Sequence, residues 1–164
     1  MVNVVLLLGS NDDKASAVVD KAINIIRESI GEVTKVSKAY ISEPYGFSDA
    51  NCFVNRAIEA TTTLDAYELL RRINLIEALL GRDREEEVRI RTARGEQYAS
   101  RPIDIDIVFY GDETFNDAKL TIPYHFLDER EYALRPVVDV APERVHPALR
   151  LTPKAMLEAL TKSK

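Results

Sequence analysis

Two aspartates, Asp104 and Asp106, stand inside the run SRPIDIDIVFYG (residues 100–111), which is otherwise composed like a strand. Aspartate is among the residues strands disfavour, so the pair asks for a reason. Side chains alternate across a strand. Ile103, Ile105, Ile107 and Phe109 are therefore expected to point one way, toward helices, and Pro102, Asp104 and Asp106 the other. The strand rise puts the two aspartate Cα atoms roughly 7 Å apart. Their carboxylates can converge on one divalent ion or share two ions roughly 4 Å apart. Like charges this close repel, which suggests a bound cation. Hard oxygen ligands suit Mg²⁺, which completes its shell with water and phosphate oxygens. Asp-x-Asp alone is a common pattern, and a solvated strand face is the plainer reading. Arg101 beside the pair and the arginine-rich stretch before it tip the balance. Carboxylates for Mg²⁺ with arginines for phosphate are the parts of a phosphoryl-transfer site.

The elements that must position these groups are legible along the chain. Val4–Leu8 is a continuous apolar run, the mark of a strand buried on both faces. From Asp13 to Ser29 the period changes, with Val18, Val19, Ala22, Ile23, Ile26 and Ile30 tracing a helical stripe that Gly31 is placed to cap. Glu32–Ser42 reads as a strand, Pro44–Gly46 as a loop and Phe53–Thr63 as a third strand. Asp65 and Glu68 have capping-box spacing, and Leu64 and Leu69 can form the accompanying staple. Leu69, Ile73, Ile76 and Leu80 form the second helix's buried stripe, which Gly81 ends. Arg82–Ser100 lacks apolar periodicity and reads as a long loop, either functional or disordered. Beyond Asp112 come a short strand and short helices. Strand, helix, strand, strand, helix, strand is the split βαβ, or ferredoxin-like, order. It predicts an α+β domain with an antiparallel sheet, helices on one face and the other face free for a ligand.

The bulk properties narrow the class. The chain has 164 residues, 46% hydrophobic and 30% charged, as expected for one globular domain spanning residues 1–164. A net charge of −5 and no basic stripe argue against a nucleic-acid binder while permitting a local phosphate patch. Cys52 is the lone cysteine, so no internal disulfide framework exists; it reads as a small apolar filler. The opening apolar run is too short to span a bilayer and has no basic leader, so a cytoplasmic protein without membrane contact is expected.

Several motifs occur together: GSN after the first strand, EPYG, FVNRAI, IE with GR ending the second helix, SRPIDIDIVFYG, LTIP and ALRPVVDVAPE. In this order and spacing they cover nearly the whole chain. The chain resembles the 6-hydroxymethyl-7,8-dihydropterin pyrophosphokinases of folate biosynthesis, and the most specific part is the Arg101–Ile107 run with the downstream LTIP. The resemblance implies ATP and a reduced pterin as small-molecule substrates and AMP and the pterin diphosphate as products; a monomer is expected, although the sequence itself does not fix the oligomeric state. The resemblance implies two Mg²⁺ ions on Asp104 and Asp106, and Arg82 and Arg101 contacting the phosphates during transfer. Around the nucleotide it implies Asn74, Glu77, Tyr98, Ile107, Lys119, Thr121, His125 and Arg130, and in the pterin pocket Ser42, Pro44, Tyr45, Phe53, Asn55 and Tyr132. A flat pterin needs amide donors and acceptors such as Asn55, and aromatic faces such as Phe53 and Tyr132.

The departures are specific. Asn74 replaces a more usual Gln, and Gln97 stands where a cation is expected, leaving Arg89, Arg91 and Arg94 as candidate replacements in a longer loop. His125 is displaced by one position from the family's histidine. His146, before Pro147, receives no role. Two rivals stand beside this reading: another two-metal enzyme, a nucleotidyltransferase or nuclease on the same sheet, and a non-catalytic ligand-binding module of ferredoxin-like fold, which would have no need of the aspartate pair.

Overall fold

The computed structural model describes residues 1–43, 51–96 and 102–162. Its central strand, β1 (Val2–Ser10), takes the apolar run through the middle of the sheet and buries it on both sides. Helix α1 (Ala15–Ser29) follows, then β2 (Gly31–Val36), β3 (Tyr40–Ser42), β4 (Phe53–Thr62) and α2 (Ala66–Leu79). A further helix, α3 (Arg84–Arg94), precedes the aspartate strand β5 (Asp104–Tyr110). The chain closes with the small β6 (Phe115–Asn116) and β7 (Thr121–Ile122) ribbon and helices α4 (Glu131–Val140) and α5 (Pro153–Lys162).

All pairings are antiparallel, and the main sheet runs β2-β4-β1-β5 with β3 also paired to β4. The sheet is antiparallel and the fold α+β, as the sequence reading expects. One long strand was expected over Glu32–Ser42, but two form. Ser37 ends the first: its hydroxyl accepts from Ala57 N at 2.8 Å and donates to Lys38 O at 2.7 Å. Gly31 starts β2 instead of capping α1. Its small size is needed because a Cβ there would stand 1.8 Å from Thr61 O.

Two cores flank the sheet. Val4, Leu6 and Leu8 face α1 and α2, together with Ile23, Ile26, Leu69 and Ile73. Val5, Leu7 and Ala57 face the other way, against Leu134 and Val137 of α4 and Met156 of α5. Helices thus cover both faces, correcting the expectation of helices on one face only; α1 and α2 alone match it. Burying each such Leu or Val contributes roughly 1.5–3 kcal/mol. Phe109 also lies on the unexpected side, in the α4–α5 core. The β1–β5 register shifts between Val5 and Leu6, so Leu6 pairs with Ile107 and Val5 with Phe109. This bulge inserts Val108 and reverses the alternation beyond Ile107.

The stretch after α2 was expected to be irregular and instead holds α3. Its start and stop are polar: Asp83 accepts from Glu85 N and Glu86 N, acids fill the first turn, and Gly95 caps the end with φ +66°. The helix buries no residue, which is why hydrophobic periodicity misses it. Asp65 caps α2 through a 2.8 Å bond from Glu68 N, but Glu68 turns to Arg71 and Arg72, so only half of the capping box forms. Cys52 is exposed and is not the apolar filler its type suggested. Among the described residues no helix is long and apolar enough to cross a membrane.

Candidate active site

The α4–α5 layer covers only part of its face of the sheet. At the uncovered end, Gly9 of β1 pairs with Asn55 of β4 on one side and Asp104 of β5 on the other. Directly paired residues share a face, so Asn55 and Asp104 flank Gly9, two strand spacings or roughly 10 Å apart. Nothing rises from Gly9 between them; a Cβ there would come to 3.2 Å from Asn55 Oδ1 and 3.8 Å from the Phe53 ring. One register step away Leu7 pairs with Asp106, which therefore joins Asp104 on this face. The two-residue alternation read from the sequence holds at this end of β5, before the bulge.

Above this row opens a cavity of about 380 Å³. Ser42, Glu43, Phe53 and Asn55 line one side; Asp104, Asp106, Arg82 and Arg84 line another. Leu70 and Asn74 enter from α2, and Tyr124, Phe126, Arg130 and Tyr132 from the segment leading into α4. Asn55 is nearly buried, and its amide donates to Tyr40 O at 3.2 Å and Ser42 Oγ at 2.8 Å. Those bonds orient the side chain beside Phe53. Tyr124 and Tyr132 bring their hydroxyls to 3.3 Å from each other. Burial, reinforced by the Asp106 carboxylate, pushes the Tyr124 phenol far above its ordinary range, so it stays protonated. Burial also raises Tyr132. The Arg130 guanidinium lies 4.6 Å from the centre of the Phe126 ring, and the ring's π-face supports it as a cation–π partner.

A dense ion network backs the acidic side. Arg82 Nη1 donates to Glu77 Oε2 at 2.9 Å and Asp104 Oδ1 at 2.8 Å, while its Nε donates to Glu87 Oε1 at 2.8 Å. Burial opposes the arginine's charge, but the Glu87 bond and the fields of Asp104, Glu77 and Glu87 outweigh it and raise its pKa. Glu77 is 2% exposed and does not reach the cavity. Its Oε2 also accepts from Ile105 N at 2.8 Å and its Oε1 from Arg84 Nη2 at 2.8 Å. Glu77 thereby fastens the backbone between the two aspartates to both cavity arginines. Burial pushes its carboxyl upward against the pull of Arg82, with Asp104 adding to the rise.

The structure thus brings Ser42, Phe53, Asn55, Asn74, Arg82, Asp104, Asp106, Arg130 and Tyr132 to one cavity. It does not bring Ile107 there; that side chain is in the core beneath. Lys119 and Thr121 are exposed at the β6–β7 ribbon, and His125 is exposed with its ring edge-on to Phe126. Pro44, Tyr45, Tyr98 and Arg101 lie outside the described residues, as does Gln97. Sequence reading missed Glu43, Arg84, Tyr124 and Phe126. Strand alternation gives no signal for the last two, because the segment folds as a turn in which Leu127 N reaches Tyr124 O at 3.2 Å and Glu129 N reaches Phe126 O at 3.0 Å.

The fold and cavity define an α+β domain equipped for phosphoryl chemistry: paired carboxylates and arginines face an amide-and-aromatic pocket across a gap left by Gly9. The family model of 7,8-dihydro-6-hydroxymethylpterin-pyrophosphokinase matches residues 5–142. A protein of Aquifex aeolicus named 2-amino-4-hydroxy-6-hydroxymethyldihydropteridine pyrophosphokinase is 33% identical over 92% of this chain and 87% of its own length. An Arabidopsis thaliana folate synthesis bifunctional protein is 34% identical over 84% of this chain, which spans 26% of it. A solved Plasmodium falciparum HPPK-DHPS structure superposes with a TM-score of 0.77 at 16% identity, covering 98% of this chain and 43% of that one. The chain belongs to the 7,8-dihydro-6-hydroxymethylpterin-pyrophosphokinase family.

Proposed function

We propose that the chain transfers a diphosphate group from ATP to the hydroxymethyl oxygen of 6-hydroxymethyl-7,8-dihydropterin. That oxygen attacks the β-phosphorus, the bond from the bridging oxygen to the β-phosphorus breaks, AMP leaves, and the hydroxyl proton is released. The observation that carries this reading is the Asn55–Gly9–Asp104 row. It sets a pocket for a flat polar ring beside a pocket for phosphates, with no side chain between them to block the transfer.

Each side of the cavity has a task. Asn55, held by Tyr40 O and Ser42 Oγ, meets the polar edge of the ring, and Phe53 and Tyr132 supply apolar faces. Arg82 and Arg84 meet phosphate oxygens, and their fixed positions stabilise charge on the moving group. Asn74 and Arg130 lie where the rest of the nucleotide would extend. Asp104 and Asp106 fit Mg²⁺: two carboxylates on one strand face leave coordination sites for water and phosphate, as Mg²⁺ prefers. Among the described residues no group of three or more His, Cys, Asp or Glu forms an all-protein cage. Bound there, Mg²⁺ would neutralise phosphate charge. Holding both substrates in register supplies most of what such a transfer needs.

Incubation with ATP, Mg²⁺ and the reduced pterin tests the reading. AMP and the pterin diphosphate should appear in equal amounts; ADP in place of AMP would overturn it.

A further inference from the structure

Helix α3 is joined to the site by charge and not by packing. It sends no apolar side chain into the core and its backbone comes close to none of the other described elements, while Arg84, its first residue, is ion-paired to Glu77 of α2. Yet Glu87, one turn into it, is largely buried against Arg82. The Glu87 carboxylate takes Arg82 Nε at 2.8 Å and Nη2 at 3.3 Å, two donors of the guanidinium fork. That paired arrangement is the geometry in which arginine binds carboxylate and phosphate alike. The remaining nitrogen, Nη1, is held by Glu77 and Asp104. A phosphate reaching Arg82 must therefore displace a carboxylate already seated on it.

We propose that Glu87 is a latch residue: it holds the phosphate-binding fork of Arg82 in the ligand-free chain, and an incoming polyphosphate exchanges with it and frees the part of α3 beyond Arg84, whose guanidinium stays paired with Glu77. The proposal rests on the assignment of Arg82 to the phosphates. With no apolar face to strip from the body, that part of α3 can leave without exposing core, so the exchange is charge for charge. Glu87 consequently sets the affinity for the triphosphate. Ligands that need the fork bind only the unlatched fraction, and their apparent affinity falls in proportion. A ligand that does not reach Arg82, such as AMP, escapes this reduction.

Two measurements on the full chain test it. The first is calorimetric binding of α,β-methylene-ATP with Mg²⁺, and separately of AMP, to the wild type, Glu87→Gln and Glu85→Gln. Glu85 is an exposed acid on the same turn and controls for loss of charge alone. Glu87→Gln should bind the analogue roughly threefold or more tightly, with AMP unchanged. Glu85→Gln should leave both unchanged. The second is hydrogen exchange without ligand, where amides late in α3 should exchange faster in Glu87→Gln than in wild type. Equal or weaker analogue binding by Glu87→Gln would overturn the latch and leave the proposed activity standing. A matching gain in Glu85→Gln or for AMP would reduce the effect to general electrostatics and also overturn it. Failure of the wild type to bind the analogue would overturn the nucleotide reading and the latch with it, whereas loosened α3 amides alone would then mark a purely structural tether.

Discussion

Asp104 and Asp106 share a strand face but not a setting. Asp104 is engaged by Arg82, while Asp106 sits opposite Leu7 near the Tyr124 and Tyr132 hydroxyls. Asp106→Asn should fold normally and lower turnover by about 10²-fold or more, as loss of a fixed transition-state contact does. Asp104→Asn should do the same and also loosen Arg82. Near-normal turnover of either variant at saturating Mg²⁺ would sink the metal assignment. The pterin side makes a separate expectation. Removing a buried polar contact costs about 1–3 kcal/mol. Asn55→Ala should therefore weaken binding of the reduced pterin while sparing α,β-methylene-ATP; titration of each ligand separately decides it, and equal weakening would mean a distorted sheet. Glu77 shows where residue-by-residue reading from sequence stops. Its position on α2 was readable as near the nucleotide. Its burial, and its bonds to Ile105 N, Arg82 and Arg84, come from contacts among three separated segments that no local pattern encodes.

At the scale of elements, α3 offers the sharpest test of how a helix stands on its ends alone. Asp83 satisfies two first-turn amides, and losing such a cap costs about 0.5–2 kcal/mol of helix stability. For α3 there is little burial to set against that loss. Asp83→Ala should thus unwind α3, lowering helical circular dichroism and speeding exchange of its amides, while the global urea midpoint barely moves. A large drop in that midpoint would show α3 to be part of the core. The same physics explains what could be read from the sequence. Strands and helices with apolar periodicity, β1, α1, β4 and α2, announce themselves. So does the Asp65 cap, a local bond three residues long. Helix α3 carries its information in polar ends, which read equally as a loop. The β5 bulge depends on the register with β1, so the face taken by Phe109 could not follow from alternation. Glu32–Ser42 looked continuous because Ser37 ends the strand with a hydroxyl, a group strands also tolerate.

Across the whole molecule, the second helical layer decides which half of the sheet remains for chemistry. Helices α4 and α5 cover Val5, Leu7 and Ala57, and the cavity is what they leave open. The segment between them is fixed by Arg144, which donates to Asn3 O at 3.0 Å and Gly111 O at 2.8 Å, and by His146. His146 is nearly buried, with its ring edge-on to Phe109. Its Nδ1 accepts from Ala148 N at 3.1 Å and Leu149 N at 3.0 Å, so the folded chain needs this nitrogen unprotonated. Burial lowers its pKa below the ordinary 6.5, against a weaker upward pull from Asp128. The unfolded chain therefore takes up a proton at higher pH than the folded one. The stabilising contribution is complete above the unfolded value and is lost as pH falls through the folded value. Urea denaturation at pH 7.5 and 5.5 should show a loss of stability on acidification in the wild type. In His146→Asn, whose amide oxygen can still accept but cannot titrate, the total stability should be lower and the loss between those pH values smaller. An unchanged pH dependence in the variant would show that the acid sensitivity arises elsewhere and that the α4–α5 connection does not depend on a neutral imidazole.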